Sequence, residues 1–202
     1  MSDGNSHTNS RNNMEKIANF LTYYHKTGTE PFRTLSILSD DEMLAIMQAE
    51  FPEDQWFHKN PQQRIAERRT TEAWLRQTFI ERGGQPTLTY PLYMVLGTSD
   101  YIEEYTGFAG SFAAISVPLA EFDASTISFT YPDSVISKRL MVKRHSLYNS
   151  AYHGKLFLLS EIFDLVSTYQ ITGQEWRQQP ARKFDYFVKA QIWDDTPLSK
   201  YG

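Results

Sequence analysis

The sequence contains no cysteine, and this absence excludes several kinds of chemistry at once. Disulfide bonds, thiolate metal sites and cysteine nucleophiles all require the thiol group. Histidine and carboxylate side chains would have to hold any metal ion, but the histidines are scattered and show neither HxH nor HExxH spacing. The acidic run SDDE at 39–42 suits a helix start, which favours negative charge. We therefore predict no metal site.

The glycine-rich loops that bind phosphate groups are also missing. Neither GxGxxG nor GxxxxGK[ST] occurs, and both motifs need several glycines so that the backbone can approach the phosphate. There is no GxSxG, and the stretch AGSFA at 109–113 lacks the second glycine of a nucleophile elbow. These absences argue against a standard nucleotide site or a serine hydrolase, and we predict no cofactor.

Positive charge and long apolar runs are scarce as well. The 20 Lys and Arg residues are outnumbered by 24 Asp and Glu, for a formal net charge of -4. Proteins that bind nucleic acid usually neutralise its phosphates with a basic surplus, so we do not expect nucleic acid as the main partner. No run of about 18 apolar residues is present, and the N-terminal stretch is polar. We expect a soluble, cytoplasmic protein that has no membrane partner, and no pattern indicates an oligomeric state.

The sequence is rich in aromatic residues, with 13 Phe, 12 Tyr and 4 Trp, which is enough to fill a sizeable core. Residues 1–13 are rich in Ser, Asn and Gly and are predicted to form a disordered tail. We expect residues 14–202 to form a single domain.

Three helices are predicted in the first part of the chain. Apolar residues at i, i+3, i+4 and i+7 from residue 17 to residue 24 indicate a helix that ends at Gly28. Ser39 and Glu42 have capping-box spacing and should begin a second helix, which Phe51-Pro52 would stop. Asn60 and Pro61 should begin a third, ending near Arg82-Gly83-Gly84. Its apolar residues lie in the late turns, so we expect that end to dock and the arginine-rich end to project.

From residue 90 onward the pattern is extended. Strands are predicted within 90–97, 112–119, 126–131, 154–160 and 185–193, with a late helix beginning at Ser160. Residues 126–131 alternate apolar and polar side chains, which indicates a half-buried strand. Pro118 suits an edge or a strand end. The order of elements predicts an α+β fold in which N-terminal helices pack on a mostly antiparallel or mixed sheet, with one late helix.

Two basic clusters are the best candidates for a binding surface. The third predicted helix carries five arginines against three glutamates, and a second cluster spans residues 138–145. Each is explained either by a solvated surface with salt bridges or by a site for an acidic protein or a phosphate. The two would form an anion patch if they met in space. The candidate anion- or partner-binding residues are Arg64, Arg68, Arg69, Lys143 and Arg144.

Paired carboxylates could carry acid–base chemistry. Asp123 and Asp133 flank the strand predicted within 126–131, in stretches with turn composition. Turn formation explains both residues. If both turns lay at one end of the sheet, however, their carboxylates could converge with Glu104 into a general acid–base site.

The stretch YHKTG at 24–28 resembles the histidine-containing strand of ADP-ribosyltransferases, in which a His followed by Gly and Thr or Ser holds the NAD ribose. The likeness covers five residues, and here Lys and Thr separate the His from the Gly. The family places its His on a strand, whereas the periodicity of this sequence predicts a helix C-terminus, where an imidazole is electrostatically favourable.

The resemblance implies an enzyme of NAD- or nucleotide-derived chemistry. His25 would act there with a tyrosine, Tyr93 or Tyr105, and with a carboxylate, Glu121 or Asp133. A pocket around His25 would favour this alternative. We favour instead a non-catalytic binding domain whose partner is another protein, because no catalytic motif is present and the charged and aromatic surface is large.

Overall fold

The computed structural model describes residues 18–50, 60–105, 112–169, 171, 184 and 186–202. The predicted tail at residues 1–13 lies outside them. Within the described residues, one six-stranded sheet combines with five α-helices. The strands are β1 (Phe20–Lys26), β2 (Leu92–Leu96), β3 (Phe112–Pro118), β4 (Ile127–Thr130), β5 (Phe157–Leu158) and β6 (Lys189–Ile192). The helices are α1 (Asp40–Glu50), α2 (Pro61–Glu81), α3 (Asp100–Tyr105), α4 (Ser134–Val142) and α5 (Leu159–Tyr169).

All neighbouring strands of the sheet are antiparallel, in the order β3-β1-β2-β6-β4-β5. The α+β prediction, with early helices and the late helix α5, is therefore confirmed. β3 forms one edge, as Pro118 at its end suggested.

The helices α1 and α2 begin where the sequence predicted. Ser39 and Glu42 form a reciprocal capping box, in which Glu42 Oε2 accepts from Ser39 N at 3.0 Å and Ser39 Oγ accepts from Glu42 N at 3.3 Å. α2 begins at Pro61 and ends at Glu81, before Arg82 and Gly83. The predicted stop of α1 at Phe51-Pro52 lies outside the described residues.

The predicted helix that ends at Gly28 is wrong, because this segment forms β1. The sequence FLTYYHK is dominated by aromatic residues and threonine, which favour strands. Seven of its residues pair with β3, and Leu21 and Thr22 pair with β2 on the other side. These long-range partners satisfy the backbone groups, which a local helical spacing does not reveal. Gly28 closes a turn after the strand, with φ at +83°.

One face of the sheet is apolar and carries most of the core. Leu21 of β1, Met94 of β2, Ala190 of β6 and Phe129 of β4 lie on this face and are at most 2% exposed. Helix α5 packs against it with a stripe at helical spacing: Ile162, Leu165 and Val166. This layer provides the main hydrophobic stabilisation of the fold.

The opposite face is also buried but polar. Ser128 and Thr130 of β4 and Gln191 of β6 are fully buried, although the sequence predicted a half-buried strand at 126–131. Gln191 Nε2 donates to Thr130 Oγ1 at 3.0 Å, and Trp193 Nε1 donates to Ser128 Oγ at 2.9 Å. The side chains of Ser128, Thr130 and Gln191 therefore each have a partner, whereas the buried hydroxyl of Thr22 on the same face has none.

Helix α2 covers this polar face. Leu75 and Phe79 pack with Leu156 and Trp193 in a second, smaller apolar cluster. Ile65 and Glu72, which lie nearer the helix start, are also buried. The expectation that only the late turns dock is therefore wrong, because the earlier turns dock through polar contacts that apolar periodicity does not show.

Candidate anion-binding site

Two of the predicted anion-binding arginines instead hold helix α2 in place. Arg68 Nε donates to Ser36 Oγ at 2.8 Å and to Glu72 Oε1 at 2.9 Å, and its guanidinium lies 5.1 Å from the centroid of the Tyr93 ring. Arg69 Nη2 donates to the carbonyl of Leu38 at 2.8 Å and pairs with a carboxylate of α1. Both arginines therefore join α2 to the chain segment before α1, and Arg68 also contacts the sheet through Tyr93.

Asp133 fixes the start of helix α4. Its Oδ1 accepts from the backbone N–H groups of Val135 and Ile136, at 2.9 and 3.2 Å, as an N-cap does. Its Oδ2 accepts from Nζ of Lys189, which also lies 3.9 Å from the centroid of the Tyr93 ring. Burial alone would raise the pKa of Asp133, but the charge of Lys189 and these hydrogen bonds outweigh it and lower the pKa.

These anchors bring α2 and α4 side by side and leave a cleft of about 230 Å³ between them. The side chains that line it are Asn60, Gln63, Arg64, Glu67, Arg139 and Lys143. Arg64 comes from the first turns of α2, whereas Arg139 and Lys143 lie four apart at the end of α4. The two basic clusters found in the sequence thus meet in space. We call this site the basic cleft.

Glu67 is the one carboxylate among the residues that line the basic cleft. Its Oε1 accepts from Nε2 of Gln63 at 3.0 Å, and its Oε2 accepts from Nη2 of Arg139 at 2.5 Å. Burial would raise the pKa of Glu67, but these two hydrogen bonds and the charges of Arg139 and Lys143 lower it. Three cationic side chains and one carboxylate give the lining a formal charge of +2.

The helix start at the cleft adds a second source of positive potential. The first turn of α2 contains no acidic residue, and Asn60 makes no side-chain capping hydrogen bond. The unpaired N–H groups of a first turn carry the positive end of the helix dipole. The basic cleft therefore combines this potential with its cationic side chains.

Two exposed residues flank Lys143 in the sequence. Val142 precedes it and is 67% exposed. Arg144, a further predicted candidate, follows it with φ at +45° and is exposed. Neither residue is among those that line the basic cleft.

His25 lies on strand β1, as in the family that the stretch resembles. It is partly buried; its Nδ1 is 3.5 Å from Thr29 Oγ1, and its ring stacks on Tyr23 at 5.8 Å between centroids. The side chain of Tyr105 lies outside the described part of the structure. Tyr93 lies on β2 between Arg68 and Lys189.

The two candidate carboxylates lie at the opposite end of the sheet from His25. Glu121 follows the end of β3 that pairs with the start of β1, and its Oε2 accepts from Nζ of Lys200 at 2.6 Å. Thr130 belongs to a row of paired residues that crosses the sheet through Lys189 to Thr22. Asp133 follows Thr130 in the chain and lies beyond this row, on the side away from His25. The structure therefore does not bring His25 together with either carboxylate.

Asp123 and Asp133 also lie apart, because Asp123 precedes β4 and Asp133 follows it. Asp123 Oδ1 accepts from Ser125 N at 2.7 Å and caps a short 3-10 turn at Ala124–Thr126. Asp123 thus begins a turn, as the sequence analysis expected, whereas Asp133 caps a helix that the sequence analysis did not predict.

The sequence identified Arg64 and Lys143 as candidates but did not select Arg139, Gln63, Glu67 or Asn60. Arg139 and Lys143 are four residues apart, and Gln63 and Glu67 share the same spacing. On a helix, this spacing puts each pair on one face. For Arg139 and Lys143, this spacing is informative only once residues 134–142 are known to be helical.

Comparisons with protein-family models, with curated proteins and with solved structures found no match to this chain. Among the described residues, no group of three or more His, Asp and Glu side chains could hold a metal ion. None of the described helices is both long enough and apolar enough to cross a membrane. The case for a function therefore depends on the geometry of the basic cleft.

Proposed function

We propose that this protein is a non-catalytic binding domain that recognises an anionic segment of a partner protein through the basic cleft. The observation that carries this proposal is that Arg64 of α2, Arg139 of α4 and Lys143, which directly follows α4, line one cleft. Cations from two separate helices surround a bound group from more than one side, which a row of charges on a single helix does not do.

The chemistry of these side chains supports an anionic ligand. Arginine presents a planar set of N–H donors that matches the oxygens of carboxylate and phosphate groups. The chain as a whole carries a formal charge of -4. A local positive site on an acidic protein attracts one anionic group while the rest of the surface repels extended polyanions. This distribution favours an anionic protein segment over nucleic acid.

An exposed apolar residue next to Lys143 in the sequence supports a protein as the partner. Val142 is 67% exposed, and protein interfaces commonly combine apolar contacts with charged residues at their edge. The described residues offer no comparable support for the enzymatic alternative, since His25 and its candidate carboxylates lie at opposite ends of the sheet.

The proposal is tested with a fluorescein-labelled peptide that carries a single pair of adjacent glutamates between neutral residues, by fluorescence anisotropy at low and at physiological salt. Arg64→Gln and Lys143→Gln should each weaken binding about fivefold, which corresponds to about 1 kcal/mol for an exposed charge contact. Lys155→Gln is the matched control, because it removes one positive charge from an exposed residue outside the cleft.

If Lys155→Gln weakens binding as much as the two cleft variants, the peptide responds to overall charge and the proposal fails. It also fails if neither cleft variant changes the affinity.

A further inference from the structure

We infer that the group bound by the basic cleft is a phosphate monoester on a partner protein, and that Glu67 competes with it from within the site. This inference rests on the proposed function and names both the ligand group and the residue that limits its affinity. It is carried by the charge of the lining, the size of the cleft and the contacts of Glu67.

The charge of the lining matches a phosphate monoester better than a carboxylate. Arg64, Arg139 and Lys143 together with Glu67 leave a formal charge of +2. A phosphorylated serine or threonine carries about -1.5 to -2 at pH 7. A single carboxylate would leave about half of the positive charge uncompensated.

The size of the cleft favours one small anionic group. Its volume of about 230 Å³ is below the range of roughly 300–1,000 Å³ that is typical of pockets for drug-sized ligands. A phosphate on a side chain needs little room and exposes three acceptor oxygens. A complete nucleotide would extend beyond the six residues that line the cleft.

Glu67 already occupies part of the donor set. Its two oxygens accept from Gln63 and Arg139, both of which line the cleft, as the oxygens of a bound carboxylate would. An incoming phosphate must share or displace Glu67 at Arg139, and the two anions repel each other. Because the pKa of Glu67 is lowered, the residue stays ionised throughout the pH range in which phosphate becomes a dianion.

Phosphate nevertheless has an advantage over Glu67. It has a third acceptor oxygen and about twice the charge of a carboxylate, so it can bind Arg139 while also accepting from Arg64 and Lys143. Glu67, by contrast, accepts from Gln63 and Arg139. A carboxylate should therefore bind the cleft more weakly than a phosphate dianion.

The test uses three labelled peptides of one sequence, in which the central residue is serine, glutamate or phosphoserine. On the unmodified protein, the phosphoserine peptide should bind at least about tenfold more tightly than the glutamate peptide. The serine peptide should bind most weakly. Millimolar inorganic phosphate should compete with the phosphoserine peptide.

The role of Glu67 is tested with Glu67→Gln, which removes the charge and keeps the side-chain length. This variant should bind the phosphoserine peptide about three- to tenfold more tightly. Glu81→Gln is the matched control, because it removes one negative charge from an exposed residue of the same helix, outside the cleft, where Glu81 accepts from Gln77 as Glu67 does from Gln63. It should leave the affinity within about twofold. Circular dichroism and urea titration establish that both variants are folded under the binding conditions.

The outcomes separate the two proposals. If the glutamate and phosphoserine peptides bind equally, and binding depends on Arg64 and Lys143, the phosphate inference is overturned and the proposed function stands. If no peptide binds, both fail. Binding to vesicles that contain phosphatidic acid, without binding to the phosphoserine peptide, would overturn the choice of a protein partner. The competition by Glu67 would be overturned if Glu67→Gln bound no more tightly, or if Glu81→Gln tightened binding to the same extent.

Discussion

Nζ of Lys189 on β6 lies 2.5 Å from Oδ2 of Asp133, the residue that caps helix α4. The other oxygen of Asp133 accepts from the first N–H groups of that helix. One carboxylate therefore joins the start of α4 to the polar face of the sheet. Since Arg139 and Lys143 lie further along the same helix, the shape of the basic cleft depends on this pair.

We expect Asp133→Ala to lower the free energy of unfolding more than Asp133→Asn. Asparagine can still cap the helix, so Asp133→Asn loses mainly the ion pair, at about 1.5–3 kcal/mol. Asp133→Ala should lose about 1 kcal/mol more, because the cap is also removed. Urea denaturation measures both changes.

Lys189→Met completes a double-mutant cycle with Asp133→Asn. The two changes should be non-additive by at least about 0.5 kcal/mol if the residues interact as observed. Strict additivity would show that the pair contributes nothing to stability.

Stability should fall in acid. The pKa values of Asp133, Glu67 and Glu161 are lowered because their hydrogen bonds and cationic partners outweigh burial. A carboxyl group with a lowered folded pKa stabilises the protein above its unfolded pKa, about 3.9 for Asp and 4.3 for Glu, and this contribution is lost as the pH falls through the folded pKa. The contribution of these groups to the free energy of unfolding should be nearly constant between about pH 7 and 5.5. Urea titrations should show the total free energy of unfolding decrease from about pH 5 to 3.

The control is Glu67→Gln, which removes one of these three groups. Its loss of stability between pH 5 and 3 should be smaller than that of the unmodified protein. An equal loss would show that Glu67 does not contribute to the acid dependence.

Two adjacent glycines should respond differently to alanine. A Cβ on Gly84 would lie 2.5 Å from Cδ1 and Cγ of the buried Phe79 ring, whereas a Cβ on Gly83 meets no atom within 4 Å. Gly84→Ala must displace a packed ring, at about 1–3 kcal/mol. Gly83→Ala changes only backbone strain, because φ is +91° there, at about 1–2 kcal/mol.

A spectroscopic measurement distinguishes these two mechanisms. Phe79 stacks on Trp193 at 5.9 Å between centroids, so Gly84→Ala should change the tryptophan fluorescence of the folded protein. Gly83→Ala should leave the spectrum unchanged. Identical spectra for both variants would contradict the predicted displacement of Phe79.

The capping box of α1 gives a further prediction. Ser39→Ala removes the acceptor for Glu42 N and should lower the free energy of unfolding by about 1 kcal/mol. Ser150→Ala, at an exposed serine in a turn, is the control and should change stability by less than about 0.5 kcal/mol. Equal effects in thermal denaturation would mean that the box does not stabilise the helix.

The elements that the sequence predicted well are those with local signals. The capping box at Ser39 and the Asn60-Pro61 start of α2 depend on residues within one turn of each other. β1 has no such signal, because its conformation is decided by pairing with β2 and β3, whose paired residues lie about 70 to 100 residues away along the chain.

Helix α4 was missed for a different reason. Its buried residues are Ser134, Ser137 and Leu140, so two of the three are small polar side chains. Hydrophobic periodicity does not detect such a face. Asp133 in front of it was interpreted as a turn residue, and its capping role becomes visible only with the helix.

The candidate site could be predicted only in part. The sequence contains two basic clusters, which predict an anion patch if they meet in space. Which cations reach the cleft depends on long-range contacts. Arg68 and Arg69 contact Ser36 and Leu38, whereas Arg64 lines the cleft. Sequence spacing does not show which arginines anchor α2 and which line the cleft.

The polar underside of helix α2 has a consequence for how this protein can change over evolution. Arg68 on Ser36 and Arg82 on the carbonyl of Leu156 are directional contacts, each with one geometry that satisfies it. A shift of α2 by one turn would break both contacts, so they hold the helix in a single alignment on the sheet. Replacing buried polar residues by apolar ones can preserve or increase stability. We therefore expect that replacing the polar contacts of α2 by apolar ones leaves the protein folded but changes the distance between α2 and α4 across the basic cleft.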